Sequence, residues 1–285
     1  MNSAGNVWVW RWMVLVLALA ALPVPAQQVG DKEFTPQVGQ AGKDVIWVPT
    51  PNEVVEKMLQ MTRITPNDYV IDLGSGDGRI AIAAAKKFGA RSMGVEFNAD
   101  MVALSTREAQ RQGVADKVRF VNADIFQTDI SQATIITMYL LPDLNLKLRP
   151  LLLDLKPGTR IASHQFTMAE WQADETATLD GRQALMWIIP AKVEGNWALR
   201  TDGEGGAPER RLTLRQSFQF VTGQMGTGSA TLGITEGRLR GDEISFSVTD
   251  GGVRRNYSGR VQGGTMAGTV RAGGSPDMGW TASLR

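Results

Sequence analysis

The sequence predicts an α/β protein: a doubly wound, mostly parallel seven-stranded sheet followed by an antiparallel all-β domain built as a meander or small barrel. Three observations carry this expectation. Apolar runs of strand length alternate with amphipathic helical patterns from about residue 50 to 175. An Asp-Gly pair at 180–181 joins two more strand-like runs, a strong signal for a two-residue hairpin turn. Residues 191–285 hold 19 of the 31 glycines and a single lysine, in short alternating segments between Gly-rich turns.

The elements follow in order. Residues 1–26 carry Arg11, the apolar run MVLVLALAAL at 13–22 and Pro23-Val24-Pro25-Ala26. That is the pattern of a signal peptide with a small-residue cleavage site, or of an uncleaved N-terminal anchor. The expected location is accordingly exported (periplasmic), or attached to the cytoplasmic membrane through residues 7–22. Residues 27–47 are polar and weakly patterned and read as an extended arm. Thr50-Pro51-Asn52-Glu53 supplies a capping Thr, a Pro at the first helical position and a Glu three after the cap, so a helix starts there. Strands are expected at 69–73, 92–96, 118–122, 133–139 and 159–164. Helices are expected at 79–88, stopped by Gly89, and from a capping Asn98 to Gln112, stopped by Gly113. Helical residues after Pro142 are expected to break at Pro150. The hairpin 176–179 and 183–189 closes a domain spanning 48–191.

From 192 to 285, strands are expected at 212–220, 230–234, 244–248, 257–261, 265–270 and 280–284. Gly237-Arg238-Leu239-Arg240 and Gly259-Arg260-Val261-Gln262 recur at a 22-residue interval, as successive hairpins would. Gly195-Asn196-Trp197 resembles the opening strand of lipocalin-like or avidin-like barrels. This part carries no chemical signature and reads as an appendage or a docking module.

Composition narrows the chemistry. The chain has no Cys and one His, which removes thiolate zinc sites, disulfides, thiol nucleophiles and multi-histidine metal clusters, so no metal is expected. Without residues 1–26, which contain only Arg11 among charged side chains, 29 basic residues face 29 acidic ones. Nonspecific nucleic-acid binding has no electrostatic support.

The sharpest motif is Asp72-Leu73-Gly74-Ser75-Gly76-Asp77-Gly78, an acid ending a strand and three alternating glycines before a helix. Glycines there permit a tight turn and close backbone approach to a ligand. A fixed carboxylate repels a pyrophosphate and attracts an ammonium. Gly76-x-Gly78-x-x-Ala81, with Glu96 at a suitable distance, also satisfies a dinucleotide pattern. Glu96 ends the second strand, where it can accept ribose hydroxyls, and Asp124 follows the third, where it can accept an adenine amino group. Each acid alone reads equally as a solvated or capping carboxylate. Together at successive strand C-termini they describe an ammonium, a ribose and an adenine, the parts of S-adenosylmethionine.

At these residues the chain resembles the class I, Rossmann-like S-adenosylmethionine-dependent methyltransferases. The resemblance implies that Asp72, Gly74, Gly76 and Gly78, with Ser75 and Asp77 in the same turn, hold the methionine end of that cofactor, Glu96 the ribose and Asp124 the adenine. Val48-Pro49-Thr50-Pro51, residues 72–79, Thr137-Met138-Tyr139-Leu140-Leu141-Pro142 and Asn145-Leu146-Lys147-Leu148 are further similar to a bacterial branch. That branch is related to mitochondrial protein-lysine methyltransferases of the ATP synthase c subunit and the adenine nucleotide translocase. The implied acceptor is a protein lysine, in a substrate that can be membrane-embedded.

Candidate catalytic residues are Tyr139 and Asp143, at the end of the fourth strand, and His164, ending the fifth. Tyr139 reads equally as a packing residue, Asp143 as a helix-start residue and His164 as a hydrogen-bonded structural residue; Trp171 walls an acceptor pocket or simply packs. Two other functions compete: a noncatalytic envelope protein that binds a nucleoside and recognises a partner through its β-domain, and an NAD-dependent oxidoreductase.

Overall fold

The computed structural model describes residues 34–202, 209–227, 230–274 and 276–285. The segment 1–26 therefore lies outside the described residues. No helix among them is long and apolar enough to cross a membrane.

Helix α1 (Asn52–Met61) buries Val54, Val55, Met58, Leu59 and Met61, the stripe its periodicity predicts. Its start differs from expectation: Pro51 caps it without a side-chain hydrogen bond. Thr50 instead points its hydroxyl at His164 Nδ1, 3.1 Å away, because a buried hydroxyl gains more from a buried partner than from a helix end that water can reach.

Strands β1 (Tyr69–Leu73), β2 (Arg91–Glu96), β3 (Val118–Asn122), β4 (Ile135–Met138) and β5 (Arg160–His164) are all parallel. The hairpin β6 (Glu175–Leu179) and β7 (Arg182–Ile188) adds the antiparallel edge, giving the order β3-β2-β1-β4-β5-β7-β6. Asp180 and Gly181, at φ 47° and 78°, make the tight turn that Asp-Gly favours. The order reverses at the β1/β4 junction, so a crevice opens beyond the C-terminal strand ends there.

Helices α2 (Arg79–Phe88) and α3 (Ala99–Arg111) connect the first three strands. Asn98 caps α3, accepting from Asp100 N and Met101 N. Helix α4 (Pro142–Leu153) runs through Pro150 unbroken, against expectation, with Leu148 and Leu152 wholly buried. That burial offsets the one backbone bond a helical proline forgoes.

The glycine-rich part forms nine strands: β8 (Gly195–Thr201), β9 (Arg210–Ser217), β10 (Phe220–Thr227), β11 (Ala230–Gly233), β12 (Thr235–Arg240), β13 (Glu243–Asp250), β14 (Val253–Gln262), β15 (Thr265–Ala272) and β16 (Met278–Leu284). Eight of them close into an antiparallel barrel through the β9–β10 pairing, and β11 hangs on β10. The expected run 212–220 is two strands, because the chain turns at Phe218 without a glycine. The 22-residue repeat falls on the hairpins β12–β13 and β14–β15. The interior is filled: Trp197, Trp280, Phe246 and Tyr257 are buried inside it, and Trp280 Nε1 donates to Ser258 O and Thr269 O at 3.1 Å.

Candidate active site

Beyond the ends of β1, β2 and β4 lies a cleft of about 320 Å³, at the small end of the range for ligand pockets. Asp72, Glu96 and Asp124 all line it, as do Gly74, Ser75, Gly76 and Asp77. The three acids, separated by 24 and 28 residues of sequence, thus share one cavity because parallel strands bring successive C-termini side by side.

Asp72 is the centre of its electrostatics. Pairing between Gly94 and Thr137 holds it in mid-sheet, and only 2% of it is exposed. Thr137 donates to Oδ1 at 2.7 Å, while Oδ2 has no protein partner. Burial, with Asp77 and Glu96 nearby, pushes its pKa up to about 7. A half-satisfied buried carboxylate calls for a cationic donor. The Ser75 hydroxyl is likewise buried and without a partner.

The glycine turn is shaped for close approach. Gly74, Gly76 and Gly78 adopt φ of 74°, 53° and 80°, which side chains rarely tolerate. A Cβ on Gly78 would lie 2.5 Å from the Phe120 ring, and one on Gly94 2.3 Å from it. Glu96 braces this turn: Oε2 accepts from Gly76 N and Oε1 from Asn98 N, both at 2.9 Å. Asp77 forms a two-pronged pair with Arg79, whose Nη1 donates to Thr50 O at 2.9 Å. Asp77 is therefore engaged with protein, not turned free toward a ligand.

Two residues that sequence reasoning passed over complete the cleft. Described residues of the 27–47 arm fold back on themselves instead of extending: Ala41 pairs with Ile46, and Trp47 N donates to Gln40 O at 2.9 Å. This brings Lys43 Nζ to 2.7 Å from Asp124 Oδ2 and to 4.6 Å above the Phe97 ring. The ion pair holds the Asp124 carboxyl below its usual range and the Lys43 amine above its own. Trp47 covers Gly76, its Nε1 2.6 Å from where a Cβ would stand. Nothing in the spacing of this segment, which also holds Lys32 and Phe34, singles out Lys43 and Trp47.

On the β4 side the wall is Tyr139, Leu140, Leu141, Leu144 and Phe166. Tyr139 stacks on Phe166, with centroids 5.9 Å apart, and leans on His164 at 4.0 Å. His164 does not itself line the cleft. Burial, aided by Arg182, pushes its pKa down to about 4, so it is neutral at pH 7 and too weak a base to take a proton there. Asp143 stands exposed in the first turn of α4, outside the cleft lining. Trp171 is fully buried away from the cleft. Among the described residues no cluster of His, Cys, Asp and Glu could hold a metal.

A family model described as the ANTKMT methyltransferase domain matches residues 72–175. A protein-lysine N-methyltransferase of Saccharolobus islandicus is 41% identical over 138 residues, 48% of this chain and 86% of that protein. The chain belongs to the class I S-adenosylmethionine-dependent methyltransferases. A lysine N-methyltransferase of the ATP synthase c subunit, from Mus musculus, is 29% identical over 186 residues, 65% of this chain and 71% of that protein. A solved chain described as an RNA methyltransferase from Salinibacter ruber, in complex with S-adenosyl-L-homocysteine, is 47% identical. It covers 51% of this chain and 96% of its own, with a TM-score of 0.51.

S-adenosylmethionine is thus the methyltransferase's cofactor, and the cleft fits it. An orphaned buried carboxylate suits the ammonium, and a turn whose glycines at positive φ leave Gly74 and Gly76 without side chains at the cleft suits the methionine tail.

Proposed function

We propose that this methyltransferase modifies the ε-amine of a lysine in a protein. The observation that carries the reading is the character of the wall beside the cofactor cleft: Tyr139, Leu140, Leu141, Leu144 and Phe166 are aromatic or aliphatic. Among the described residues, the only basic ones lining the cleft are Lys43 and Arg79, each already paired with an acid. An RNA acceptor calls for unpaired basic groups along its path, whereas a lysine side chain suits a narrow apolar wall. The Saccharolobus and mouse relatives, which act on protein lysines by name, support the same choice.

In this reading Asp72, Gly74, Ser75 and Gly76 hold the methionine end, with Asp77 shaping the turn through Arg79, while Gly78 lies outside the cleft lining and packs against Phe120. Glu96, braced on Gly76 N and Asn98 N, keeps lone pairs for the ribose hydroxyls, and Asp124 accepts from the adenine. S-adenosylmethionine supplies a methyl group on a sulfonium, an activated leaving group, so the protein needs no nucleophile of its own. The chain's work is alignment and proton control. Burial of the incoming amine against Tyr139 and Phe166 favours its neutral, attacking form. Neutral His164, tied to Thr50, fixes the Tyr139 ring and takes no proton; Asp143 acts as a helix-start residue. The amine's proton leaves to water at the cleft mouth.

The segment at residues 7–22, apolar except for Arg11, supports attachment to a membrane. Such an anchor, with the catalytic part facing the cytoplasm, keeps the enzyme beside its cofactor supply.

Incubating the purified full chain with tritium-labelled S-adenosylmethionine and separate protein, RNA and lipid fractions of its source cells tests the substrate. Label on lysine after protein hydrolysis is the expected result. Label confined to RNA or lipid overturns the lysine reading.

A further inference from the structure

The barrel has a filled interior, so any part it plays in methyl transfer must come from its outside. Resting on the reading of the Tyr139 and Phe166 wall as the acceptor side, we propose that the barrel positions that wall. Its β9–β10 turn, through Phe218 and Gln219, fixes the loop of residues 165–174 that carries Phe166.

This loop has no regular structure of its own beyond a single bridge between Met168 and Trp171. Gln165 and Ala169 sit at φ 67° and 52°, conformations that persist only when surroundings over-determine them. Part of that support comes from the catalytic part. Asn145 Nδ2 donates to Phe166 O and Thr167 O at 3.3 and 3.2 Å, Ser163 Oγ to Phe166 O at 3.0 Å, and Arg149 Nη1 to Met168 O at 3.1 Å.

Trp187 Nε1 also donates to Trp171 O at 2.9 Å and Asp174 N to Met186 O at 2.8 Å, and the barrel adds contacts of its own. Phe218 stacks on Trp171 with centroids 5.7 Å apart and planes 10° from parallel, and the Arg149 guanidinium lies over the Phe218 ring, 5.5 Å from its centroid. Gln219 Nε2 donates to Gln172 O at 2.8 Å, and Arg238 Nη2 to Asp174 Oδ1 at 2.8 Å. Asp174 in turn accepts from Ile188 N of β7 through Oδ2. Three points of the loop's second half are thus held by the barrel.

Phe218 belongs to this contact more than to the barrel. It packs against the core cluster of the catalytic part, and its own φ of 53° is unfavourable for a bulky residue. A turn built for stability alone would place Gly or Asn there. The strain is retained where the ring reaches Trp171. From Trp171 the path to the cleft is short: the loop backbone leads to Phe166, and Phe166 stacks on Tyr139. Phe218 is therefore a positioning residue for the acceptor, with no contact to the cofactor side.

The test uses full-length Phe218→Ala, the side-chain donor deletion Gln219→Met, and Phe218→Tyr as the conservative control. Amide hydrogen exchange reads residues 165–174 directly. Calorimetry with S-adenosylhomocysteine reads the cofactor side, and label transfer from tritiated S-adenosylmethionine into titrated total cell protein reads the acceptor side. The alanine variant should exchange at 165–174 at least tenfold faster, while β1, β2 and the barrel strands keep wild-type protection. It should bind S-adenosylhomocysteine within twofold of wild type and need at least five times more acceptor for half-maximal rate. Tyrosine should restore both, and Gln219→Met should move both in the same direction. Unchanged exchange at 165–174 in both disruptive variants overturns the proposal, as does a loss of cofactor affinity as large as the loss on the acceptor side. Failure of the wild-type chain to bind S-adenosylhomocysteine would instead strike the proposed function, and the exchange result would still stand.

Discussion

Replacing Asp72 by Asn should make the ligand-free protein more stable and its cofactor binding weaker. The native carboxyl is buried, one oxygen accepts from Thr137 and the other has no partner, and its pKa is pushed up to about 7 from 3.8. A folded-state pKa above the unfolded one means the folded protein holds the proton more tightly, so ionisation opposes folding as pH rises from about 4 to 7. With about 1.4 kcal/mol per pKa unit, a shift of roughly three units sets a ceiling of about 4 kcal/mol on the penalty at pH 8. Asparagine keeps the acceptor for Thr137 and carries no charge. Urea denaturation between pH 4 and 8 should show the variant more stable by up to that amount at pH 8, the gain shrinking toward zero near pH 4. With S-adenosylhomocysteine present the gap narrows: loss of a hydrogen bond between charged partners weakens binding about 10- to 100-fold, which removes about 1.4 to 2.7 kcal/mol of the ligand's stabilisation. A variant less stable than wild type at pH 8, or stabilised equally by the ligand, would refute the reasoning.

Three further outcomes follow from the same site. Below pH 7 the wild-type Asp72 must release its proton before it can pair with an ammonium. S-adenosylhomocysteine affinity should therefore fall about tenfold per pH unit beneath 7, while 5′-methylthioadenosine, which lacks the ammonium, should show no such slope in parallel calorimetric titrations. Lys43→Ala frees Asp124 from its ion pair, so S-adenosylhomocysteine should bind a few-fold more tightly at low salt, with the gap closing as salt screens the pair. Gly94→Ala drives a methyl group into the Phe120 ring and the Ser75 hydroxyl, 2.3 and 2.6 Å away, and should cost about 2 to 3 kcal/mol in denaturant unfolding.

Much of the cofactor side was legible because its information is local. Strand, acid, glycine turn and helix follow one another at 69–88, and the acids at 96 and 124 mark the next two strand tips. Parallel topology does the rest. Elements that depend on distant partners were not legible. Thr50 reads as a cap until His164, 114 residues away, claims its hydroxyl. Pro150 reads as a break until the buried leucines of α4 hold the helix through it. Phe218 hides a turn that glycine would have announced, since its reason lies in Trp171, outside the barrel. The arm's Lys43 and Trp47 carry no periodic signal, and only the folded chain brings them over Asp124 and Gly76.

Asp72, Glu96 and Asp124 line one cleft and are proposed to grip one cationic nucleoside together; calorimetric titration of the full chain with S-adenosylhomocysteine and, separately, with NADH measures this most directly. One saturable site for S-adenosylhomocysteine is expected, weakened by Glu96→Gln as well as by Asp72→Asn, with no heat from NADH. Saturable binding of NADH with none of S-adenosylhomocysteine would contradict that grip.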